Sequence, residues 1–267
     1  MLEFFFLSSL LLSGDSEPWE FAIIGDTQAR PKVFINALAE IKKHNVKFVI
    51  HLGDMAYCGS KSLWRGQKKS IDKINIPFYY VIGNHELLPC RYDHEPTRDQ
   101  WRDFWKGGYG TTFETFTYRN LKFIILDSAG IFTSDIMLSQ LNLALSDTGN
   151  KSTFIFTHKP LPYPENFKIY YGEGGKRWHR LYDMSGLYFF PSNKRLWNTV
   201  YKYRDSIRAI FHGHYHAYRE YTYKKIKNYC SGGGGGSLET KDDYYHFLLV
   251  KNWQGYTEIS VIKIYNR

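Results

Sequence analysis

KFVIHLGD, residues 47–54, is a β-branched and aromatic run that ends in a glycine and a carboxylate. An apolar run followed by polar side chains recurs in FAIIGDTQ (21–28), PFYYVIGNHE (77–86), STFIFTH (152–158) and IRAIFHGHYH (207–216). A residue that ends a buried strand is held rigidly, and in open α/β folds it points into the crevice where ligands bind. The repetition therefore predicts that polar side chains from five strand ends converge on one site.

The segments between these runs show helical periodicity in the first half of the chain. Apolar residues at helical spacing predict helices at 31–44 and 61–74, and a shorter one near 97–106. Strands and helices thus alternate, which favours parallel strands with helical crossovers. Two strand-like runs joined at Arg119-Asn120 predict a hairpin, so the sheets are mixed. We therefore predict a mixed α/β fold, a four-layer αββα sandwich of two mixed β-sheets flanked by helices.

A run of five glycines at 232–236 interrupts the C-terminal part of the chain. Its composition is that of a flexible domain linker or of a cloning artefact. The strand-like runs that follow it, however, are too few for an independent domain. We therefore expect a loop between strands of one domain, close to the site, with that domain covering residues 18–267.

The chain is basic, with 35 Lys and Arg against 26 Asp and Glu among 267 residues and a formal net charge of +9. A basic surface concentrates anions and raises the rate at which they bind. The charge therefore suits a phosphorylated substrate, although an ordinary basic surface has the same composition. Nucleic acid is another anionic partner, but the sequence has no basic helix or zinc module that would favour it.

The polar groups at the strand ends are of the types that hold two adjacent metal ions, which need a bridging carboxylate, further oxygen ligands and imidazoles. This sequence resembles the calcineurin-like metallophosphoesterase superfamily in five motifs and in their order, namely Asp26-Thr27-Gln28, Gly53-Asp54, Gly83-Asn84-His85-Glu86, His158 and Gly213-His214-Tyr215-His216. The resemblance implies that the ligands of the first ion are Asp26 and His216, that Asp54 bridges, and that those of the second ion are Asn84, His158 and His214.

One branch of that superfamily matches more closely. GDMAY, residues 53–57, fits the GDxxY pattern of purple acid phosphatases, in which the tyrosinate binds the first metal. The segments GNHE and GHYHAYRE are also similar to that group, although Arg219-Glu220 inverts its usual final pair. The resemblance implies Tyr57 as a metal ligand, and a core tyrosine is the alternative. Gln28 stands where many members carry a histidine ligand, so its amide oxygen binds the metal or only hydrogen-bonds to bridging water.

The resemblance also implies the reaction. It predicts a dimetal-dependent phosphatase or phosphodiesterase that uses a metal-activated hydroxide, with Asp54 and His85 as catalytic residues. His85 would face the substrate and protonate the leaving alkoxide, whereas a structural histidine satisfied by Glu86 is the alternative. Carboxylate, amide and imidazole ligands suit Fe, Mn or Zn, and Tyr57 favours ferric iron at one position.

A long stretch rich in Pro, Gly and aromatic residues, 159–192, is where we expect substrate specificity to lie. Its basic residues could contact an anionic part of the substrate; they are Lys176, Arg177, His179 and Arg180. A solvated basic loop is the alternative. The core ligand set serves monoesters and diesters alike, so the expected substrate is a phosphorylated small molecule or a phosphodiester.

The chain opens with a short apolar segment, FFFLSSLLLSG at 4–14. It is too short to span a bilayer and fits the core of a signal peptide, although no Lys or Arg precedes it. We therefore expect residues 1–17 to be a signal peptide or short anchor, no transmembrane helix, and export to the periplasm or the outside of the cell. Without cleavage the protein would be cytoplasmic.

The three cysteines are too few for a disulfide framework. Cys58 and Cys90 follow the second and third motifs, so a single bridge between neighbouring loops is one interpretation. Three reduced thiols are the other.

Two further functions fit parts of the pattern. The positive charge would also serve a nuclease or an enzyme that processes nucleic-acid ends. A non-catalytic scaffold with this fold would bind phosphorylated ligands, but degraded metal ligands would be its mark. In this sequence every core position is filled apart from the ambiguous Gln28.

Overall fold

The computed structural model describes residues 17–88, 113–129, 134–147, 152–161 and 190–265. Within these ranges the helices are α1 (Pro31–Ile41), α2 (Lys61–Asp72), α3 (Asp135–Ser146) and α4 (Phe190–Lys202). The strands are β1 (Trp19–Ile24), β2 (Val46–His51), β3 (Phe78–Tyr80), β4 (Phe113–Tyr118), β5 (Leu121–Leu126), β6 (Ser152–Thr157), β7 (Ile207–His212), β8 (Tyr218–Tyr223), β9 (Ile226–Ser231), β10 (His246–Trp253) and β11 (Tyr256–Lys263). Short 3₁₀ turns lie at His85–Leu87 and Arg204–Ser206.

The strands form two mixed sheets. The first has the order β11-β10-β1-β2-β3, in which β1, β2 and β3 are parallel while β10 and β11 are antiparallel to their neighbours. The second has the order β4-β5-β6-β7-β9-β8, with four parallel strands in the centre and antiparallel β4 and β8 at the edges. The loops that follow the parallel strands carry the five motifs, which is where such sheets place ligands.

Local sequence signals explain where the elements begin and end. Pro31 occupies the first turn of α1, where its missing N–H removes no helical hydrogen bond. The side-chain oxygens of Ser60 and Ser134 cap α2 and α3 by accepting the backbone N–H three residues on. The hairpin at Arg119 is confirmed, and Arg119 has φ 52°. The first two helices end two or three residues earlier than predicted, and the helix near 97–106 lies outside the described residues.

Three apolar layers hold the elements together. One lies between the first sheet and helices α1 and α2 and includes Phe34 and Trp64. Another lies between the second sheet and helices α3 and α4 and includes Leu141 and Leu196. The middle layer contains residues from both sheets and none from the four helices. The predicted four-layer αββα sandwich is therefore confirmed.

Aromatic rings dominate the layer between the sheets. Phe21 and Phe48 of the first sheet contact Phe123 of the second, with ring centroids 5.4 and 5.3 Å apart. Phe156 lies 6.0 Å from Phe123 on the neighbouring strand. Each aromatic pair contributes about 0.5–1.5 kcal/mol beyond the burial of its area. The rings therefore hold the two sheets, and with them the two sets of strand ends, in a fixed relative position.

The glycine run connects the two sheets. It lies between β9 of the second sheet and β10 of the first. Strand β10 pairs with β1 from Trp19↔Asn252 to Ile23↔Leu248, so the segment after the glycines is an integral part of the same fold. The run is thus a loop between strands, as predicted, rather than a linker to another domain.

Residues 1–16, which include most of the predicted signal peptide or anchor, lie outside the described residues. In the described ranges, no helix combines the length and the apolar character that crossing a membrane requires.

Candidate metal centre

Five strand ends bring the predicted ligands together. In the first sheet, Asp26, Asp54 and Asn84 follow the parallel neighbours β1, β2 and β3. In the second sheet, His158 directly follows β6 and His214 follows β7 by two residues. Since the sheets pack face to face, these loops meet at one edge of the sandwich. Asp26, Asp54 and His158 are buried there, whereas Asn84 and His214 are partly exposed.

Three of these positions have a left-handed backbone. The φ angles are 59° at Asp26, 54° at Asp54 and 72° at His214. A non-glycine residue in this region costs of the order of 1–3 kcal/mol and persists only where its surroundings fix it. Here the backbone N–H of Asp26 donates to the oxygen of Gly53 at 3.0 Å, and that of Thr27 donates to the oxygen of Asp54 at 2.9 Å. The first two loops therefore hold one another in the strained conformation.

Four electron-rich side-chain atoms converge around His158. Its Nδ1 donates to the backbone oxygen of Leu52 at 2.8 Å, which leaves Nε2 as the free nitrogen of the neutral ring. This Nε2 lies 2.9 Å from Asn84 Oδ1, 3.3 Å from Asp54 Oδ2 and 3.2 Å from His214 Nδ1. Ligand atoms of Asp54, His158 and His214 lie within 4.8 Å of one another. Such a set of mutually repelling lone pairs requires a cation among them.

The electrostatics of this group point the same way. Burial lowers the pKa of His158, but Asp54 and the other nearby carboxylates outweigh that effect and raise it to about 9. Burial also opposes ionisation of Asp54, yet His158 and its neighbours hold the pKa of Asp54 below the usual range. By contrast, burial and the charge of His158 lower the pKa of His214 well below normal. The site thus favours one positive charge next to an ionised Asp54, and His214 keeps a free lone pair.

A second group of ligands surrounds Asp26. His216 Nε2 lies 3.4 Å from Asp26 Oδ1 and 3.3 Å from the amide nitrogen of Gln28. Burial lowers the pKa of His216, but its hydrogen bond to Asp26 and the charge of that carboxylate raise it to about 9. The backbone N–H of His214 donates to both carboxylate oxygens of Asp26, at 3.0 and 3.1 Å. The turn that carries both histidines therefore links the two groups.

Gln28 provides a further indication that a cation belongs here. Its Oε1 atom is buried and has no hydrogen-bond partner among the described residues. A buried amide oxygen without a partner costs about 1–3 kcal/mol, which a cation ligand would offset. Together with the carboxylates and imidazoles, this oxygen completes a donor set that suits transition-metal ions. The residues present therefore fit the metal that the sequence motifs imply.

A family model for calcineurin-like phosphoesterases matches residues 20–218. The chain belongs to this family. The match ends just after the histidine pair, so every metal-ligand position predicted from the sequence lies inside it. No protein of curated function matches the chain in sequence.

Solved structures of this family share the fold with the chain at low sequence identity. The purple acid phosphatase PPD1 from yellow lupin (Lupinus luteus) seeds aligns with 94% of this chain at 16% identity and a TM-score of 0.68. This chain spans only 53% of the length of the lupin protein. A dimetal phosphatase from Danio rerio aligns over 93% of this chain and 100% of its own length, at 14% identity and a TM-score of 0.62.

GAP50, described as the anchor in the inner membrane complex of Plasmodium, also shares the fold. It aligns over 92% of this chain and 84% of its own length, at 13% identity and a TM-score of 0.59. The family match confirms the predicted superfamily and supports a phosphoric ester hydrolase. At these identities the structural likenesses establish the fold alone.

Glu86 of the family motif has a role that the sequence did not reveal. Its buried carboxylate accepts backbone N–H bonds from Asp54 (2.8 Å), Met55 (2.6 Å), Ala56 (3.1 Å) and Gly83 (2.8 Å). Burial and the charge of Asp54 raise the pKa of Glu86 to about 7, and these donors oppose that shift. Glu86 therefore ties the loop after β2 to the loop after β3. The only sequence signal was its place within the GNHE motif.

His85 faces the site from the same turn. Its backbone N–H donates to Asp54 Oδ1 at 2.8 Å, and its Nδ1 donates to the backbone oxygen of Tyr57 at 2.7 Å. Nε2 then lies 3.8 Å from Asp54 Oδ2, in a side chain that is 24% exposed. Glu86 binds backbone groups instead, so within the described residues His85 is not the structural histidine that Glu86 would satisfy.

Tyr57 lies at the rim, 65% exposed, with its ring centroid 5.5 Å from that of His85. It is not a core tyrosine. Its role as a metal ligand, like the direct ligation by Gln28, stays a prediction.

The remaining predicted site residues cannot be placed. Lys176, Arg177, His179 and Arg180 lie outside the described residues, and their contact with substrate stays a prediction. Cys58 takes part in a disulfide, and Cys230 is a buried free thiol. The third cysteine, Cys90, lies outside the described residues.

Replacing Glu86 by Gln tests its role in holding the ligand loops. An amide nitrogen in place of either carboxylate oxygen leaves two backbone N–H groups without an acceptor, at about 1–3 kcal/mol each. We expect the free energy of unfolding in urea to fall by about 2 kcal/mol or more. Zinc affinity, measured by titration, should fall about 10- to 100-fold.

The matched control is Glu40→Gln, because Glu40 forms only a surface ion pair with Lys43. Both quantities should stay near wild type in that variant. A Glu86→Gln protein with wild-type stability and zinc affinity would show that the carboxylate does not hold the loops.

Proposed function

We propose that the chain is a dimetal-dependent hydrolase of phosphate esters. The proposal is carried by the position of Asp54, a buried and ionised carboxylate that lies between two groups of ligands. Its Oδ2 faces His158 at 3.3 Å. Its charge also contributes to the raised pKa of Asp26, which burial chiefly causes. Two carboxylates that repel one another in a buried site are stabilised when cations lie beside both of them.

The donor atoms assign residues to each ion. Asn84, His158 and His214 would hold one, Asp26, Gln28 and His216 would hold the other, and Asp54 would bridge. Imidazole, carboxylate and amide donors suit Fe, Mn or Zn. When bound, the ions would supply an activated water as nucleophile and neutralise the phosphoryl oxygens. Tyr57 would add a ligand to the first ion if its exposed ring turned inward.

His85 is the group we assign to the leaving-group proton. Its Nδ1 is engaged by the backbone oxygen of Tyr57, so Nε2 is the nitrogen that faces the centre. The partial exposure of the side chain leaves room for a substrate to reach Nε2. An imidazole that titrates near neutrality and lies beside the reacting phosphorus is suited to protonate an alkoxide. The backbone contact with Asp54 keeps His85 in register with the ligands.

The substrate we propose is a phosphorylated small molecule or a phosphodiester. Family membership supports a phosphoester, and the net charge of +9 would concentrate such anions near the protein. Nucleic acid is supported by the charge alone.

A non-catalytic scaffold is the second candidate function. GAP50, named as an anchor, has the same fold as this chain. Fold does not determine function, so the likeness permits an anchoring role. The converging ligand atoms favour the hydrolase.

Export is proposed on two observations. The apolar segment at 4–14 fits a signal peptide, and Cys58 is disulfide-bonded, which is typical of oxidising compartments. Protein from its native host should therefore lack about the first 17 residues. It should also resist thiol labelling at Cys58 before reduction. N-terminal sequencing that finds Met1 in a cytosolic fraction would refute export.

Asp54→Asn tests the proposed reaction. It weakens the bridge between the two ions, so several kcal/mol of transition-state stabilisation are lost. We expect metal-dependent hydrolysis of p-nitrophenyl phosphate or bis(p-nitrophenyl) phosphate by the wild type, and a decrease of about 10³-fold in the variant. Asp205→Asn, at a surface carboxylate that is 87% exposed, serves as the control and should leave the rate unchanged. Absence of metal-dependent turnover of either ester by the wild type would favour the scaffold.

His85→Asn tests the leaving-group proton. For an alkyl phosphate, whose alkoxide needs protonation, kcat should fall by about 10²–10⁴-fold. For p-nitrophenyl phosphate the loss should be much smaller, because nitrophenolate leaves without a proton. Metal content, measured by elemental analysis, should stay at the wild-type level. Equal losses on both esters would remove His85 from this role.

A further inference from the structure

The segment 231–239, called here the glycine loop, packs against one half of the proposed centre. It begins where β9 ends, on the strand next to β7, and it lies beyond residue 218, where the family match stops. The backbone N–H of Gly234 donates to the oxygen of Gly25 at 2.9 Å, and that of Gly236 donates to the oxygen of Asp26 at 2.7 Å. The loop therefore runs directly along the backbone that carries the first carboxylate.

The close approach explains why the run consists of glycines. A Cβ atom at Gly232 would collide with the backbone oxygen of Tyr215 and approach Asp26 Oδ2 to 2.9 Å. At Gly236 it would lie 2.6–2.7 Å from three ring atoms of His216. Real Cβ atoms do not come this close to other heavy atoms, so each of these side chains would have to displace a neighbour.

The end of the glycine loop fixes the orientation of His216. The ring Nδ1 donates to the backbone oxygen of Ser237 at 2.8 Å, which leaves Nε2 to face Asp26 and Gln28. The backbone N–H of His216 donates to Glu239 Oε1, and the N–H of Glu239 donates back to the oxygen of His216, both at 3.3 Å. A hydrogen bond to the distal nitrogen of a metal-binding histidine sets its tautomer and ring orientation.

We infer that the glycine loop positions His216 and thereby sets the affinity of the Asp26–Gln28–His216 site without setting that of the other site. The inference rests on the proposed dimetal function. The contacts of the loop with ligand residues, as described above, fall on Asp26 and His216. The ring of His158 is held instead by Leu52 of the first sheet, through Nδ1. The loop is thus a positioning segment, and its residues touch neither the substrate nor the ions.

Gly236→Ala is the most direct test. The backbone at Gly236 is not in the left-handed region, so alanine imposes no backbone strain. The added methyl group is accommodated only if the His216 ring moves. We expect wild-type protein loaded with Zn²⁺ and desalted to hold two zinc ions per chain by elemental analysis, and the variant to hold one. Titration should show the affinity of the weaker ion lowered about 10- to 100-fold.

Gly66→Ala is the matched control. Gly66 lies in α2, and a Cβ atom there would meet nothing within 4 Å. That variant should bind two zinc ions with wild-type affinity.

A pair of variants at Glu239 tests the same role without adding volume. Glu239→Ala removes the acceptor of the His216 N–H, whereas Glu239→Gln keeps an acceptor oxygen. We expect Glu239→Ala to weaken the same zinc ion and Glu239→Gln to restore its affinity. This pair decides the matter if circular dichroism shows that Gly236→Ala is unfolded.

The outcomes separate the two proposals. Wild-type protein that binds no zinc contradicts the dimetal function. A wild type with two ions, together with a folded Gly236→Ala variant that keeps both at unchanged affinity, overturns the role of the glycine loop alone. A folded variant that loses both ions also overturns it, because the inference requires a selective loss.

Discussion

The structure depends on keeping one carboxylate ionised in a buried place. Asp54 is 1% exposed, and removing such a charge from water costs several kcal/mol unless partners compensate. The compensation comes from His158 on the other sheet and from the backbone N–H of His85. Glu86 fixes the Asp54 backbone through a separate set of hydrogen bonds. Each partner comes from a different loop, so the charge of Asp54 organises the whole edge of the sandwich.

The distance between those loops is set far from them, in the aromatic layer between the sheets. Asp54 follows a strand of the first sheet, and His158 follows a strand of the second. Phe48 and Phe156 precede these two residues on the same strands, and both pack into the layer that joins the sheets. Close-packed interiors resist sliding because each shift opens voids. The ligand geometry is therefore a property of the core as much as of the loops.

Periodicity in the sequence was enough to predict the sandwich, and the strand ends were enough to predict which side chains meet. Both are local signals, because a buried strand is written in its own residues. The role of Glu86 was not predictable in this way, since its partners at 54–56 are about 30 positions away and are backbone groups. The function of the glycine loop was hidden for a similar reason. Its composition indicated flexibility, whereas the close approach of Tyr215 and His216 requires glycine for space.

Backbone strain helps to distinguish an enzyme from an anchor with the same fold. Asp26, Asp54 and His214 each adopt a left-handed conformation, at a cost of the order of 1–3 kcal/mol per residue. A chain that needed only the fold could relax these positions with glycine or asparagine and gain stability. The strained positions instead coincide with carboxylates and an imidazole that point at common centres. Strain that coincides with ligand atoms is explained if those atoms are needed in that geometry, and this favours the hydrolase over the scaffold.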